Sequence, residues 1–444
     1  MSHKAAGVDF LLINPTAREW RIAPGRKPSP RTRIFRFSML TSLSVAAAMP
    51  VGVRTRIVDE EVEPLDLGVD TDLVGISCMT FNAPRAYQIA DSFRERGIPV
   101  VMGGYHPTFL PQEALRHADA VCIGEVEAVM PRIMKDFEEG RMAGAYTRAA
   151  PDLANLCRPD RSLLSPGSYA WVDTVQASRG CPNSCRFCSI SAFFQSTYRT
   201  RPVEDVVDEL RGLSRFILFM DDNLTAHRDY AMELFSRMIP LKKRWFSQAS
   251  VHVAHEPELL ELAAASGCSG LFLGLESVCQ ESLEEWGKPL NRAADYQRAI
   301  KKLHSKGIGV VAGVVLGADQ DTPDVFDRTL AFLEEARMDA LQATILTPFP
   351  GTPLFSSMEE EGRILHRHWE KYDFRHVVFR PERMSVDTLR EGHRRVLTRF
   401  YSRSSVLKRF LNQVRYLSPS SMFMASIPVN MSYRRRLTAN RTFL

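Results

Sequence analysis

The sequence predicts an α/β chain with three parts: a doubly wound parallel sheet, a partial barrel of six β/α units, and a helical, basic C-terminal region. Three observations predict this. Short apolar runs alternate with stretches of helical spacing from residue 8 to about residue 140. A second series of such units, with longer intervals, begins near Trp171. From Tyr401 to the C-terminus eight cations and no acidic residue occur, more than the +5 net charge of the whole chain, so the rest is slightly acidic. The expected boundaries are 1–140, a linker at 141–170, the barrel at 171–380, and the tail at 381–444.

At 444 residues the chain is too long for one small core, and its 45% hydrophobic and 25% charged residues are those of an ordinary globular protein. No run of about 18 apolar residues occurs, so no helix is expected to span a membrane. The opening MSHKAAGVDFLLINP reads as a first buried strand rather than a signal peptide, and a cytoplasmic location is expected. Eight cysteines in a reducing compartment point to metal binding or catalysis rather than to disulfides.

Residues 8–15 (VDFLLINP) are a short apolar run closed by Asn-Pro, the pattern of a buried parallel strand. A Pro- and Arg-rich loop follows from about residue 18 to 36, then a helix-like stretch at 39–48. Further strands are expected at 53–58, 73–78, 99–102 and 120–123, and helices at 84–97 and 125–139. Ligands of such sheets lie at the carboxyl ends of the strands. Those ends hold Asn14, Thr80, Gly103, Gly104, Tyr105, His106, Gly124 and Glu125. The adjacent Gly103 and Gly104 suggest a backbone that passes close to something bulky. Residues 141–170 show no clear period and contain Pro151, Pro159 and Pro166. Barrel strands are expected at 172–178, 216–220, 245–251, 271–275, 310–316 and 341–346. The helices between them include 203–213, 229–239, 257–265 and 293–305. In barrels of this kind the chemistry gathers at the carboxyl ends of the strands.

The first barrel strand leads into Ser178-Arg179-Gly180-Cys181-Pro182-Asn183-Ser184-Cys185-Arg186-Phe187-Cys188. Three thiolates within eight residues can wrap one iron–sulfur cluster. A tetrathiolate cluster or a structural zinc site needs four ligands, and no fourth Cys or His follows Cys188 before His227. Three ligands leave one iron open to a cofactor or substrate. Cys78, Cys122, Cys268 and Cys279 read as small buried hydrophobes, and Cys157 lies in the linker.

The CxxxCxΦC spacing of Cys181, Cys185 and Cys188, with the aromatic Phe187, resembles the radical S-adenosylmethionine (SAM) superfamily. The resemblance implies that the three cysteines bind a [4Fe–4S] cluster and that SAM chelates the fourth iron. An electron passed into the sulfonium then releases a 5′-deoxyadenosyl radical. Phe187 is counted with the SAM contacts. Asp221, Asp222 and Asn223 resemble the segment that meets the SAM amino group, where a carboxylate pair can hold an ammonium. An N-cap for the next helix is the alternative role for Asp222 or Asn223. Glu276 and Ser277 match the position of polar groups on the ribose or carboxylate. Val311 and Gly313 lie in the stretch similar to the adenine-binding strand. Residues 348–353 (PFPGTP) resemble the TPxPGTP signature of one large subgroup.

That subgroup joins a flavodoxin- or Rossmann-like cobalamin-binding domain to a radical SAM barrel, and includes hopanoid methylases, the anaerobic protoporphyrin-ester cyclase and bacteriochlorophyll methylases. The resemblance covers roughly residues 8–380. It implies cobalamin at Asn14, Thr80, Gly103, Gly104, Tyr105, His106, Gly124 and Glu125, and methylation or other C–H functionalisation of a hydrophobic or polycyclic small molecule. The Asp-x-His-x-x-Gly signature of histidine-ligated cobalamin proteins is absent, since Asn14-Pro15-Thr16-Ala17 stands there. His106 could be an axial ligand or an ordinary hydrogen-bonding loop histidine. A dehydratase or cyclase that keeps the fold without cobalamin is the main alternative. A non-catalytic iron–sulfur protein and an RNA modifier are others, although no RNA-binding signature or second three-cysteine set is present. The family implies an external electron donor such as flavodoxin or ferredoxin. The basic tail reads as a solvated helix pair or as a peripheral contact with an anionic membrane.

Overall fold

The computed structural model describes residues 7–22, 36–165, 167–288 and 291–438. It divides into two compact units, residues 1–171 with 368–370, and residues 172–367 with 371–444.

The first unit holds six strands: β1 (Asp9–Asn14), β2 (Arg54–Asp59), β3 (Leu73–Ser77), β4 (Val100–Gly103), β5 (Ala120–Ile123) and β6 (Gly144–Thr147). Their order is β2-β1-β3-β4-β5-β6, and every pair is parallel. Leu11 and Ile13 face one layer of the core, with Ile89 and Phe93 of α2 (Ala83–Glu95). Phe10 and Leu12 face the other, with Leu43 of α1 (Leu40–Ala47) and Ile133 of α3 (Val126–Glu138). Both faces of the sheet are covered, which is why its strands read as apolar runs rather than alternating ones. The order reverses between β1 and β3, and a ligand crevice is expected at that switch point.

The expected linker is partly a strand. β6 is an edge strand that buries only Tyr146 of its four residues, so no hydrophobic run marks it. Most of the Pro/Arg-rich loop, residues 23–35, lies outside the described residues.

The second unit carries a parallel sheet of the strands β7 (Asp173–Val175), β10 (Phe216–Phe219), β11 (Arg244–Ala249), β12 (Cys268–Glu276), β13 (Gly309–Leu316) and β14 (Ala340–Ile345). Their order is β14-β13-β12-β11-β10-β7. Helices α4 (Val203–Arg211), α5 (Arg228–Met238), α6 (Pro257–Ala265), α7 (Tyr296–Ser305) and α8 (Val325–Glu335) alternate with them. These six β/α units are the partial barrel expected.

Its first strand is shorter than expected. Instead of one strand over 172–178, β7 ends at Val175, and β8 (Ser178–Gly180) pairs antiparallel with β9 (Tyr198–Thr200). The ribbon thus brackets the cysteine loop. Gly180 sits at φ +82°, and a Cβ there would come within 2.2 Å of the Thr197 carbonyl, so the close approach of the two strands requires glycine.

The tail is not a solvated helix pair. Helices α9 (Pro353–Glu360), α10 (Val386–Phe400), α11 (Arg403–Gln413) and α12 (Ile427–Thr438) follow the barrel. Asp339, fully buried just before β14, accepts from Val310 N (2.8 Å), Gln413 Nε2 (2.9 Å) and Tyr416 OH (2.7 Å) and meets His304 Nε2 at 2.8 Å. Asn430 Nδ2 donates to the Asp339 carbonyl at 2.8 Å, and Ser421 Oγ to the Gly307 carbonyl at 2.7 Å. The tail therefore seals the amino end of the sheet and leaves the carboxyl end to the site.

Candidate active site

The cysteine loop is held by backbone bonds on both flanks. Arg186 N–H donates to the Trp286 carbonyl at 3.1 Å, and the Arg186 carbonyl accepts from Leu354 N–H at 3.0 Å. Leu354 directly follows the PFPGTP segment, whose Thr352 caps α9 through Phe355 N–H. That segment thus supports the loop from the sixth unit. The Phe187 ring packs edge-on against Trp286 with centroids 5.2 Å apart. Cys188 N–H donates to the Cys185 carbonyl, and Ser191 Oγ to the Asn183 carbonyl. The loop is preorganised by these contacts rather than by its own short sequence.

Asp221 and Asp222 depart from expectation. The Asp221 carboxylate is fully buried and accepts from Ala177 N (3.1 Å), Ser178 N (2.5 Å) and Ser178 Oγ (2.5 Å). Asp222 Oδ2 accepts from Gly180 N at 3.0 Å. Instead of presenting two free carboxylates to an ammonium, the pair ties the strand β10 end to the chain entering the cysteine loop. Burial raises Asp221 to about 7 and Asp222 to about 6, against the hydrogen bonds that favour their charged forms. Asn223 is bound differently: its Oδ1 accepts from Ser250 N at 3.1 Å, and its Nδ2 lies 4.0 Å from Cys181 Sγ.

Cys185 is buried, and burial lifts its thiol to about 12, with Lys288 opposing the shift and Cys188, Glu276 and Cys181 adding to it. Burial raises Cys188 as well, with Ser191 and Lys288 among the opposing influences. The three thiols and Lys288 thus share one electrostatic neighbourhood. Among the described residues no three His, Cys, Asp or Glu side chains are arranged to hold a metal ion. A four-iron cluster spreads its thiolates wider than one ion does, and three soft sulfur donors on one pinned loop suit it. Iron would also supply the charge that lets buried thiols ionise.

Across the sheet, Glu276 ends β12 at φ +65°, where the register with β13 shifts between Gly274 and Glu276. Its Oε1 lies 2.5 Å from Lys288 Nζ, with both side chains mostly buried. A Cβ on Gly274 would come within 2.4 Å of that carboxylate oxygen, so glycine is what makes room for the pair. Lys288 is a site residue that sequence reasoning misses. Its only signal there is a cation twelve residues beyond Glu276. Ser277 is buried, with Oγ accepting from Cys279 N–H at 3.0 Å. Val311 and Gly313 lie within β13. A Cβ on Gly313 would strike the Phe272 ring at 2.7 Å, so packing already accounts for that glycine.

The carboxyl ends of the first sheet gather most of the residues expected there. Asn14 ends β1, buried, with Oδ1 accepting from Ser42 Oγ at 2.9 Å and Nδ2 left without a partner. Thr80 is buried just beyond β3, and Met79 beside it is 46% exposed. Gly124 has φ +84° with open space where a Cβ would stand, and its N–H donates to Thr108 Oγ1 at 3.1 Å. Glu125 stands at the N-cap position of α3 without a side-chain capping bond, and Tyr105 stacks on Phe109. An unpartnered buried amide beside a switch point, with free space at the carboxyl end of β5 in the same sheet, fits a large polar cofactor. A Cβ on Gly104 (φ +100°) would lie 2.5 Å from the Cys78 carbonyl, so the neighbouring strand end already requires that glycine, whereas a Cβ on Gly103 would meet Cys122 only at 3.5 Å. His106 is fully buried, its Nε2 facing Tyr87 OH (3.0 Å) and Glu113 Oε1 (3.3 Å), its ring edge-on to Trp369 and its Nδ1 without a partner, so its Nε2 already serves as an ordinary hydrogen-bonding group.

Comparison with known proteins agrees with this arrangement. The Radical SAM superfamily model matches residues 175–333, the B12 binding domain model residues 45–134, and a domain of unknown function (DUF4070) residues 352–441. Bacteriochlorophyllide d C-12(1)-methyltransferase of Chlorobaculum tepidum is 33% identical over 76% of this chain and 76% of its own. The C-8(2)-methyltransferase of the same organism is 27% identical over 78% and 80%, and hopanoid C-2 methylase of Rhodopseudomonas palustris 26% over 73% and 64%. Among solved structures, the radical SAM methyltransferase TsrM of Kitasatospora setae, with cobalamin and a [4Fe–4S] cluster bound, superposes with TM-score 0.69 at 14% identity. It covers 97% of this chain and 99% of its own. The cobalamin-dependent radical SAM enzyme OxsB gives 0.65 at 14% identity, over 97% and 72%.

Proposed function

Because the chain belongs to the radical SAM enzymes that carry a B12-binding domain, we propose that it methylates an apolar polycyclic small molecule, of the tetrapyrrole class. The carrying observation is a three-cysteine loop on the barrel together with a B12-binding domain in a chain 33% identical to a bacteriochlorophyllide methyltransferase. Its cofactors are a [4Fe–4S] cluster, SAM and cobalamin. When bound, the cluster supplies the electron that cleaves SAM to methionine and the 5′-deoxyadenosyl radical, and cobalamin supplies the methyl group.

In this reading Cys181, Cys185 and Cys188 hold three irons. Asn223 lies beside Cys181, and Lys288 holds a positive charge next to Cys185 and Cys188. Glu276 orients that lysine. Asp221 and Asp222 fix the entry of the loop. Asn14 offers its free amide N–H to cobalamin at the switch point. The electron comes from an external one-electron donor of the flavodoxin or ferredoxin kind. We also take the basic C-terminal region as a peripheral contact with an anionic membrane, the place where an apolar substrate would be met.

The test uses protein reconstituted anaerobically with iron and sulfide, then given methyl-labelled SAM, a one-electron reductant and a chlorophyllide, with and without cobalamin. The expected product carries one labelled methyl group and forms only when cobalamin is present. A product that forms equally without cobalamin and gains no label would replace methylation with the dehydratase or cyclase chemistry.

A further inference from the structure

Helix α11 packs Val406 and Gln413 inward, while Leu407, Leu411 and Val414 are 60%, 61% and 67% exposed. Those three lie at positions i, i+4 and i+7, one stripe along the outer face. Exposed aliphatic side chains are ordinary when scattered. Three in one stripe, on a helix whose other face is properly buried, are not accounted for by the fold. Arg403 lies one turn before Leu407 and Arg415 one turn after Leu411, so a cation stands at each end of the stripe. Both are exposed, and neither is in an ion pair among the described residues. Lys408, beside Leu407, meets Glu334 of α8 at 2.5 Å.

An apolar stripe framed by two exposed arginines, on a helix that carries no acidic residue, is complementary to an apolar surface with anionic groups at its edge. We infer that the outer face of α11 docks on an anionic lipid bilayer. Leu407, Leu411 and Val414 would enter the boundary between headgroups and chains, and Arg403 and Arg415 would meet lipid phosphates. A second copy of the chain fits less well. A twofold contact over this face would set arginine near arginine, with no acidic residue on α11 to alternate with them. No helix among the described residues is long and apolar enough to cross a membrane, so the contact lies in the interface plane. This deepens the membrane part of the proposed function and is independent of the chemistry at the cysteines.

The test is cosedimentation of the reconstituted full chain with vesicles of phosphatidylcholine alone or mixed with phosphatidylglycerol. Binding is expected to the mixed vesicles and to weaken as salt rises. Arg403→Gln with Arg415→Gln should lower the partition coefficient by roughly tenfold. Leu407→Ser, Leu411→Ser and Val414→Ser together should lower it on the order of a hundredfold. All variants should keep the parent's melting temperature and its 5′-deoxyadenosine formation in vesicle-free buffer. Failure of the parent to bind either vesicle would overturn the inference, as would a triple variant that binds like the parent. A parent dimer that the triple variant abolishes, without vesicle binding, would hand the stripe to a second copy. Loss of 5′-deoxyadenosine formation in the parent would strike at the chemistry alone and leave the vesicle result standing.

Discussion

Asp221 does more for the cysteine loop than a single hydrogen bond would. Its two oxygens collect two backbone N–H groups and one hydroxyl where the chain leaves β7. Asp221→Asn turns one acceptor into a donor facing those N–H groups, and each buried group left unsatisfied costs about 1–3 kcal/mol. The variant should melt lower and, after reconstitution, hold well under half the parent's iron and sulfide. Asp222→Asn breaks one contact and should lose less. Lys288 and Glu276 make a second residue-scale prediction. Removing one partner of a buried pair costs about 3–5 kcal/mol, whereas removing both can be nearly neutral. Lys288→Met should therefore melt well below the parent, and Lys288→Met with Glu276→Gln should recover much of the loss. The aspartates also show what a linear sequence hides. The Asp-Asp-Asn string is visible in it, but the partners of Asp221 and Asp222 lie more than forty residues away, so their role in shaping the loop is not.

At the scale of elements, the strands that read clearly were those covered on both faces. β1, β3 and β13 are continuous apolar runs. β6 escaped because an edge strand with one buried residue has no such run. The β8–β9 ribbon escaped because six residues of polar sequence form it through pairing, not propensity. Helix α10 carries a pH prediction. His393 is buried against β14, Nε2 donating to the Ala343 carbonyl at 3.0 Å, and burial lowers it to about 4. Its folded pKa lies below its unfolded one, so the unfolded chain binds the extra proton between pH 6.5 and about 4. Stability from this group is complete above pH 6.5 and is lost as pH falls through that window, by about 3 kcal/mol. Asp221 and Asp222 have raised values and act in the opposite sense, so the comparison must be with His393→Gln. The melting temperature of the parent should fall relative to that variant between pH 6.5 and 4. Parallel curves would refute the assignment.

For the whole molecule, two parallel sheets offer the carboxyl ends of their strands, one with a cysteine loop and one with a switch point. Both ends were legible from strand spacing, since glycines, acids and cysteines punctuate the apolar runs there. What stayed hidden was which of them serve the chain itself. Gly104, Gly313 and His106 turned out to answer neighbouring strands and rings. Cobalamin binding belongs to this scale. Asn14→Leu should remove the free amide N–H and weaken cobalamin retention on gel filtration several-fold. The most direct measurement of the central claim is 5′-deoxyadenosine formed by anaerobically reconstituted protein given SAM and a one-electron reductant. The parent should form it, and Cys185→Ala should lose both the cluster absorbance and the product. Undiminished 5′-deoxyadenosine from Cys185→Ala would contradict the account.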